Sequence, residues 1–383
     1  MSAGARLVVI TKAPVDLSDG LALTYERHSR LYARYADRYE TTFCARGPLA
    51  TGRSPLARAA DVVLLAQPPF TEGHAFLRKW PAVAGRVRRA IANAELVLAR
   101  MPCFESVAAT YFRRPGQLLI QWFGGELGEG PPVERVHFTR ERRRIALRAM
   151  VASARRADIV LTQGSAMRDW LTSHGVRARS VVKGVLDEDD FIAPRPRFRD
   201  RTIRLLTVAR LEHEKNPELL VDALGLLRRE ADDFRLDVVG EGTMRERLER
   251  RASSLGLGDA IAFAGDVDDR ARLRELYRGA DAFLLASRTE GVSSAAMEAM
   301  AAGLPTIVPD VGGMADVVRD GENGFLLRSP TAADIAQLVC TLAGDPARAD
   351  KIGGQAARDA RAFLWSQWIE EFAELAASAR VRR

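Results

Sequence analysis

Short apolar runs alternate with amphipathic stretches along most of the chain, and this alternation constrains the fold more than any other feature. The runs are continuously apolar, as in strands that are covered on both faces of a sheet. Examples are RLVVIT at 6–11, DVVLLA at 61–66 and QLLIQW at 117–122. Strands that alternate with helices predict parallel sheets with right-handed crossovers. The expected fold class is therefore α/β.

The alternation stops once and then starts again. Residues 187–200, DEDDFIAPRPRFRD, are acidic, then proline-containing, then basic, which is typical of a linker. A chain of 383 residues is also long enough for two domains. We therefore expect two Rossmann-like β/α/β domains that face each other across a cleft, at 1–190 and 191–362. A final amphipathic helix at 363–383 is expected to cross back to the N-terminal domain.

Helical periodicity is also present near the start of the chain. The stretch ALTYERHSRLYARYADRY at 22–39 is amphipathic at helical spacing, and it is predicted to form a helix.

Composition and charge argue against several classes of protein. Hydrophobic residues make up 47% of the chain, which argues against disorder. No apolar run reaches the roughly 18–20 residues of a membrane span, and the opening MSAGARLVVITKAP predicts a strand rather than a signal peptide. The three cysteines are far apart, so we expect reduced thiols, a cytoplasmic protein and no structural zinc. The net charge of +7 is modest for this length and does not argue for nucleic acid as a partner.

Two glutamates in SRTEGVSSAAMEAMAAGLP (287–305) raise the first question of function. Glu290 lies in the predicted turn after a strand, and Glu298 lies inside the helix that follows. Carboxylates accept hydrogen bonds, so they suit the hydroxyl groups of a sugar. An ordinary capped helix with one solvated glutamate is the alternative interpretation.

The start of that helix suits a phosphate. Ser293 or Ser294 can cap it, and its free N–H groups and positive dipole end favour an anion such as a diphosphate. The small residues Gly291 and Ala295 would let a ligand approach the backbone.

A second strand ends in two cations. In LLTVARLEHEKNPELL (205–220), Arg210 and Lys215 follow the strand, and a helix is predicted to start with Asn216 as N-cap and Pro217 at the first helical position. Arginine and lysine at the carboxyl end of a strand suit a diphosphate. Two solvated loop charges are the alternative.

Three further loop positions are candidates for contacts with the ligand. Gly240 lies in the turn of VGEGTMRERL, Val267 lies in the GDVDD loop that could contact a base, and Gly20 lies in LSDGLAL after the first strand. For each of them an ordinary loop position is the alternative.

Together, these segments resemble family 4 glycosyltransferases, the retaining enzymes with the two-domain GT-B fold. LLTVARLEHEKNPELLVDAL, LDVVGEGTMRERL and the stretch with the E-x7-E motif follow one another in the family's order over about 150 residues. The N-terminal half matches poorly.

The resemblance implies roles for these residues. Arg210 and Lys215 would neutralise the donor diphosphate, which is also the leaving group. Glu298 would bind the ribose hydroxyls, Glu290 would bind hydroxyls of the donor sugar, and the backbone from Val292 to Ala295 would support the phosphates. The reaction would move a sugar from a nucleotide-diphosphate sugar with retention, without a metal or another cofactor.

The resemblance is incomplete on the acceptor side. Many members carry a histidine after the strand that corresponds to QLLIQWFGG, and this chain has none there. Either Glu126 or the donor phosphate would then assist the acceptor. The paired glycines that follow the first strand in the family are reduced here to Gly20.

The resemblance leaves the acceptor open as a glycan or lipid-linked intermediate of polysaccharide biosynthesis, or a small natural product. The arginine-rich helix predicted at 139–156 could contact anionic lipid at the inner face of the membrane, or it could be a solvated helix face. Two other functions compete with transfer: a nucleotide-sugar epimerase of the same fold, and a non-catalytic protein that binds nucleotide sugars.

Overall fold

The computed structural model describes residues 4–14, 16–18, 21–24, 33–47, 54–58, 61–66, 73–101, 103–124, 140–193, 195–231 and 233–381. By their contacts these residues form two compact units. The N-terminal unit holds the described residues up to 124, those of 140–181, and the chain from 368 onward. The C-terminal unit holds the described residues of 182–367.

The N-terminal unit contains a seven-stranded sheet in which neighbouring strands are parallel. The strands of the unit are β1 (Arg6–Pro14), β2 (Asp16–Ser18), β3 (Leu21–Thr24), β4 (Glu40–Gly47), β5 (Ser54–Arg58), β6 (Val62–Ala66), β7 (Leu96–Met101), β8 (Leu118–Phe123), β9 (Ile159–Gln163) and β10 (Arg179–Val181). The order in the sheet is β10-β9-β8-β7-β1-β4-β6. The central strands β7 and β8 are buried almost throughout, as their continuous apolar sequences predict.

A small antiparallel sheet accompanies the large one and corrects the prediction for the start of the chain. It has the order β2-β3-β5, and β3 pairs with both neighbours. The helix predicted over 22–39 is therefore wrong at its beginning, because 22–24 lie in β3. Pairing with two strands outweighs the weak helical preference of a short segment. The described part of the helix prediction starts again only at residue 33.

Four helices with described bounds belong to the N-terminal unit, and a fifth helix ends in it. They are α1 (Gly73–Ala90), α2 (Phe104–Phe112), α3 (Arg140–Ala154), α4 (Ser165–Ser173) and the last helix of the chain, α11 (Trp365–Val381). Trp368 of α11 lies against Trp122 of β8, with 4.8 Å between the ring centroids, and its indole N–H donates to the Tyr35 hydroxyl at 3.1 Å. These aromatic contacts anchor the end of the chain in the N-terminal unit.

The C-terminal unit is a six-stranded sheet, again with parallel neighbours. Its strands are β11 (Ile203–Val208), β12 (Phe234–Val239), β13 (Ile261–Gly265), β14 (Ala282–Leu284), β15 (Thr306–Pro309) and β16 (Phe325–Leu327). Its helices are α5 (Glu218–Glu230), α6 (Arg245–Ser254), α7 (Arg270–Gly279), α8 (Ser294–Ala301), α9 (Ala332–Gly344) and α10 (Pro346–Ala360). Two buried apolar clusters pack in this unit, one around Leu205 and Leu236 and the other around Phe283 and Met297. The predicted fold class, α/β with two Rossmann-like units, is confirmed.

The strand order of the C-terminal unit locates its binding edge. The order is β13-β12-β11-β14-β15-β16, so the chain moves outward in one direction from β11 and in the other direction from β14. In doubly wound sheets, ligands bind beyond the carboxyl ends of the strands at the point where the order reverses. That point is the junction of β11 and β14.

Candidate donor site in the C-terminal unit

The two loops at the β11–β14 junction carry most of the residues that the sequence analysis selected. The loop after β11 contains Arg210 and Lys215, and the loop after β14 contains Glu290. The backbone N–H of Arg288 donates to the Glu214 carbonyl at 2.8 Å, which ties one loop to the other. Two segments that are distant in the sequence therefore meet where the topology predicts a ligand.

Lys215 and Glu290 form a buried ion pair. The Lys215 Nζ lies 2.7 Å from Glu290 Oε1, and the two side chains are only 8% and 5% exposed. The Ser287 hydroxyl donates to the same carboxylate oxygen at 2.7 Å. A buried charge needs a partner, so this pair fixes both side chains at the carboxyl edge of the sheet.

Arg210 lies in a different environment. Its side chain is 44% exposed and pairs with Glu214, four residues along the chain, at 2.9 Å. It is thus positioned on the same loop as Lys215 but faces solvent.

The helix after that loop begins one residue later than predicted. We predicted Asn216 as N-cap, but Pro217 is the N-cap and α5 starts at Glu218. Asn216 has a left-handed backbone with φ of 49°, and its N–H donates to the His213 carbonyl at 3.2 Å. Asparagine tolerates this conformation, and here it ends the short 3₁₀ helix that contains Lys215.

The start of α8 is built as predicted. Ser293 is the N-cap, and its side chain accepts a hydrogen bond from the Ala296 N–H at 3.3 Å. Gly291 and Ser293 are buried, Val292 and Ala295 are half-buried, and Ser294 is exposed. The first N–H groups of a helix have no partner within the helix, so α8 presents donors directly after Glu290.

The backbone at Gly312 packs directly against the turn that carries Glu290. Gly312 has φ of +62°, and a Cβ there would lie 1.6 Å from the Glu290 carbonyl oxygen. The N–H of Gly313 donates to the Gly291 carbonyl at 2.6 Å. Only glycine fits this close approach between the two loops.

Glu298 lies in a separate polar cluster. Its Oε1 accepts from Arg270 at 2.7 Å, and its Oε2 lies 3.0 Å from the Tyr277 hydroxyl. Burial, and then the nearby charge of Glu298, raise the pKa of Tyr277 well above its usual value. Tyr277 therefore stays protonated at ordinary pH and can donate to the carboxylate.

The remaining predicted positions differ in how closely they belong to this edge. Gly240 has φ of +129°, and a Cβ there would lie 2.0 Å from the Ala209 carbonyl oxygen, so it supports the Arg210 loop directly. Val267 is half-buried in the loop after β13, further out along the sheet. Gly20 and Glu126 lie outside the described residues.

Sequence reasoning missed several residues of this edge. Ser287, Arg270 and Tyr277 bond to the two glutamates. Arg270 and Tyr277 lie 28 and 21 positions before Glu298, so no local pattern connects them to it. Gly312 had a detectable signal, the pair of glycines at 312–313 shortly after β15.

Comparison with protein families gives a match that covers this unit. Residues 188–359 match the family model described as glycosyl transferases group 1. Two curated relatives are a D-inositol 3-phosphate glycosyltransferase of Thermomonospora curvata and a glycogen synthase of Mycobacterium tuberculosis. The first is 31% identical over 185 residues, 46% of this chain and 43% of the relative. The second is 33% identical over 219 residues, 56% of this chain and 51% of the relative. The chain thus spans about half the length of the curated relatives it matches.

Solved structures extend the likeness to the whole fold. Anabaena HepE in complex with UDP-glucose has a TM-score of 0.72 at 18% identity, and the match covers 97% of this chain and 99% of that one. The sucrose-phosphate synthase of Thermosynechococcus elongatus has a TM-score of 0.76 at 19% identity, with 99% and 100% covered. The chain has the GT-B fold.

Proposed function

We propose that the chain is a glycosyltransferase that moves a sugar from a nucleoside-diphosphate sugar to an acceptor hydroxyl, as a retaining family 4 enzyme does. The observation that carries the proposal is the buried Lys215–Glu290 pair, which lies at the β11–β14 junction beside the start of α8. The match of residues 188–359 to group 1 glycosyl transferases supports the same function.

The cations would stabilise the leaving group. When the bond between the anomeric carbon and the phosphate oxygen breaks, negative charge grows on the diphosphate. Lys215 donates to Glu290 and carries a compact positive charge at the carboxyl edge of the sheet, which would attract the phosphate oxygens. The exposed Arg210 and the first N–H groups of α8 would bind the diphosphate from other sides. These groups supply the charge stabilisation, and the proposal includes no metal ion.

Glu290 would hold the donor sugar. The Lys215 and Ser287 donors fix its Oε1, and the carboxylate retains acceptor sites for sugar hydroxyls. The Thr289 hydroxyl next to it is buried and has no hydrogen-bond partner among the described residues. A polar ligand at this turn would satisfy that hydroxyl.

Retention would follow if the acceptor attacks on the face from which the diphosphate leaves. The acceptor oxygen then bonds to the anomeric carbon, and the bond between that carbon and the diphosphate oxygen breaks. The proton of the acceptor hydroxyl passes to the leaving phosphate oxygen. This route needs no histidine from the N-terminal unit, consistent with the sequence after β8.

The direct test is product analysis with UDP-, GDP-, dTDP- and ADP-sugars in the presence of glycan, lipid-linked and small hydroxyl acceptors. We expect one nucleotide family to yield a glycoside whose anomeric configuration equals that of the donor. The Glu290→Gln variant keeps hydrogen bonds to Lys215 but loses the charge, so it should still bind the nucleoside diphosphate and lose turnover. The control is Glu246→Ala, a carboxylate that is 85% exposed. Equal turnover in Glu290→Gln and wild type would refute the proposed role, and epimerised donor without a glycoside would favour an epimerase.

We further propose that the protein is cytoplasmic and contacts the inner face of the membrane through α3. Arg144 and Arg148 are exposed on this helix, and Ile145 between them is 66% exposed. A cationic surface with an apolar side chain at its centre suits an anionic lipid surface. No helix in the described part of the chain has the length and apolarity to cross a bilayer. Equal partitioning to neutral and anionic vesicles would contradict this contact.

A further inference from the structure

Arg270 lies between two carboxylates in the C-terminal unit. One of its terminal nitrogens donates to Glu298 Oε1 at 2.7 Å, and the other donates to Asp190 Oδ1. The side chains of Arg270, Glu298 and Asp190 are 19%, 14% and 3% exposed. Two partly desolvated carboxylates thus share the Arg270 guanidinium, and together they hold the guanidinium in one orientation.

Tyr277 fixes the other oxygen of Glu298. It follows Arg270 by two turns of α7 and is 2% exposed. Its hydroxyl lies 3.0 Å from Glu298 Oε2 and 3.2 Å from the Ala295 carbonyl oxygen. The charged acceptor at the shorter distance is the stronger partner. Both oxygens of Glu298 are therefore oriented before any ligand binds.

The segment before β11 fixes Arg270 in turn. Asp190 ends the short 3₁₀ helix Glu188–Asp190, and its second oxygen accepts the N–H of Asp187 at 3.0 Å. Asp187 and Asp190 form a reciprocal capping box, so the carboxylate that faces Arg270 belongs to a defined turn.

We propose that Arg270 and Tyr277 are positioning residues that orient Glu298 for the ribose hydroxyls of the donor, with Asp190 holding Arg270 in place. The inference rests on the proposed function and on the role that the family resemblance implies for Glu298, which is to bind the ribose hydroxyls. Each carboxylate oxygen has two acceptor directions, and the two donors occupy one on each oxygen. The remaining directions are then fixed in space, so ribose binding does not have to order the side chain.

The test compares a nucleoside diphosphate with its 2′,3′-dideoxy analogue, both measured by titration calorimetry on the full chain. The nucleoside is the one that wild type binds in the donor screen. Tyr277→Phe removes only the hydroxyl, and Arg270→Lys keeps a charge while it loses the fork that bridges two carboxylates. We expect each variant to bind the ribonucleotide roughly tenfold more weakly, from the loss of one charged hydrogen bond. Binding of the dideoxy analogue should stay at the wild-type value, because Glu298 has no hydroxyl to accept from.

A matched control lies on the same helix. Arg274 is one turn beyond Arg270 and contacts the same segment, with 3.5 Å between Arg274 and the Asp189 carboxylate, but its ion pair does not involve Glu298. Arg274→Ala should bind both nucleotides as wild type does. A merely structural role for Arg270 and Tyr277 would weaken both nucleotides equally, and that result would overturn the inference.

The outcomes separate this inference from the proposed function. If wild type binds none of the nucleoside diphosphates, the proposed function and the inference both fail. Only the inference fails if Glu298→Gln changes the preference for the ribonucleotide over the dideoxy analogue, but Tyr277→Phe and Arg270→Lys keep the wild-type preference. Loss of the preference in all three variants supports both.

Discussion

At the scale of single residues, the two cations of the proposed donor site, Lys215 and Arg210, differ in their burial. Lys215 and Glu290 exclude solvent from their ion pair, whereas Arg210 forms its pair at the surface. Coulomb attraction is screened at the surface, and an unpaired charge is costly in the interior. Lys215 and Arg210 share a proposed role in diphosphate binding, but loss of the buried Lys215 should affect folding more than loss of Arg210.

The first prediction concerns the stability of these two positions. Lys215→Met leaves Glu290 buried without its cation and should lower the free energy of unfolding by about 3–5 kcal/mol. Arg210→Ala should change it by less than about 1 kcal/mol. Urea unfolding of the two variants measures the difference, and the double variant Lys215→Met with Glu290→Gln should recover much of the loss. A Lys215→Met protein as stable as Arg210→Ala would show that the pair does not hold the loops.

A second prediction concerns binding by the exposed cation. Arg210→Ala should weaken binding of the nucleoside diphosphate by about 1–3 kcal/mol, since charged hydrogen bonds to phosphate are lost. Titration calorimetry at fixed salt measures it. An unchanged dissociation constant would remove Arg210 from the site.

The residues that bear chemistry were visible in the sequence, but their partners were not. Glu290 and Lys215 were selected because they follow apolar runs, and the structure places them in the loops after β14 and β11. Ser293 was selected as a possible helix cap, and it caps α8. That Lys215 pairs with Glu290, 75 positions away, depends on which strands are neighbours. The partners of Glu298 depend in the same way on the packing of α7 against α8.

At the scale of elements, the loops at the carboxyl edge of the C-terminal sheet are held by close backbone approaches and by side-chain caps. Gly312 and Gly240 each lie against the backbone of a neighbouring loop. Glu212 connects the β11 and β12 loops, because its carboxylate accepts from both the N–H and the hydroxyl of Thr243.

Substitution of Gly312 tests the first kind of support, the close backbone approach between neighbouring loops. Gly312→Ala should destabilise the protein by about 1–3 kcal/mol from backbone strain and by a similar amount from the clash with the Glu290 carbonyl. It should also abolish transfer, since the turn that carries Glu290 must move. Gly321 is the matched control, because it also has a positive φ of 72° but a Cβ there meets nothing within 4 Å. Gly321→Ala should cost only the strain and keep activity; equal losses in the two variants would refute the close-approach argument.

The pH dependence of stability tests the second kind of support, the side-chain hydrogen bonds between Glu212 and Thr243. Hydrogen bonds from the Thr243 side chain and backbone lower the pKa of Glu212 below its usual 4.5. A carboxylate with a depressed pKa in the folded state contributes stability that is fully present above the unfolded value and is lost as the pH falls through the folded value. Glu212→Gln should therefore be less stable than wild type at neutral pH, and the difference should shrink below pH 4.5. Unfolding curves between neutral and acidic pH measure this, and a difference that does not depend on pH would contradict the assignment.

Element boundaries were predictable only where local signals were strong. Ser293 caps α8 as its sequence predicts. The Asn216–Pro217 signal gave a helix start that was one residue early, because the left-handed Asn216 ends a preceding turn. The strand Leu21–Thr24 was missed because it also pairs with β5, a strand that is distant in the sequence.

At the scale of the whole molecule, the periodicity of the sequence was sufficient for the fold class. Continuous apolar runs that alternate with helices predicted two Rossmann-like units, and the seven-stranded and six-stranded sheets both have parallel neighbours. The order of strands in each sheet was not predictable, because it depends on long-range pairing rather than on local pattern. The predicted domain limits at 190 and 362 remain predictions, as do the roles of the site residues.

The most direct measurement is a thermal-shift screen of the full chain against UDP, GDP, dTDP and ADP and their common sugars. A ligand that binds only the folded state at 100 times its dissociation constant adds about 2.7 kcal/mol of stability. We predict that one nucleotide family raises the melting temperature of wild type, and that Lys215→Met reduces the increase. A chain whose melting temperature is unchanged by every nucleotide would contradict the proposal that the β11–β14 junction binds a nucleotide-sugar donor.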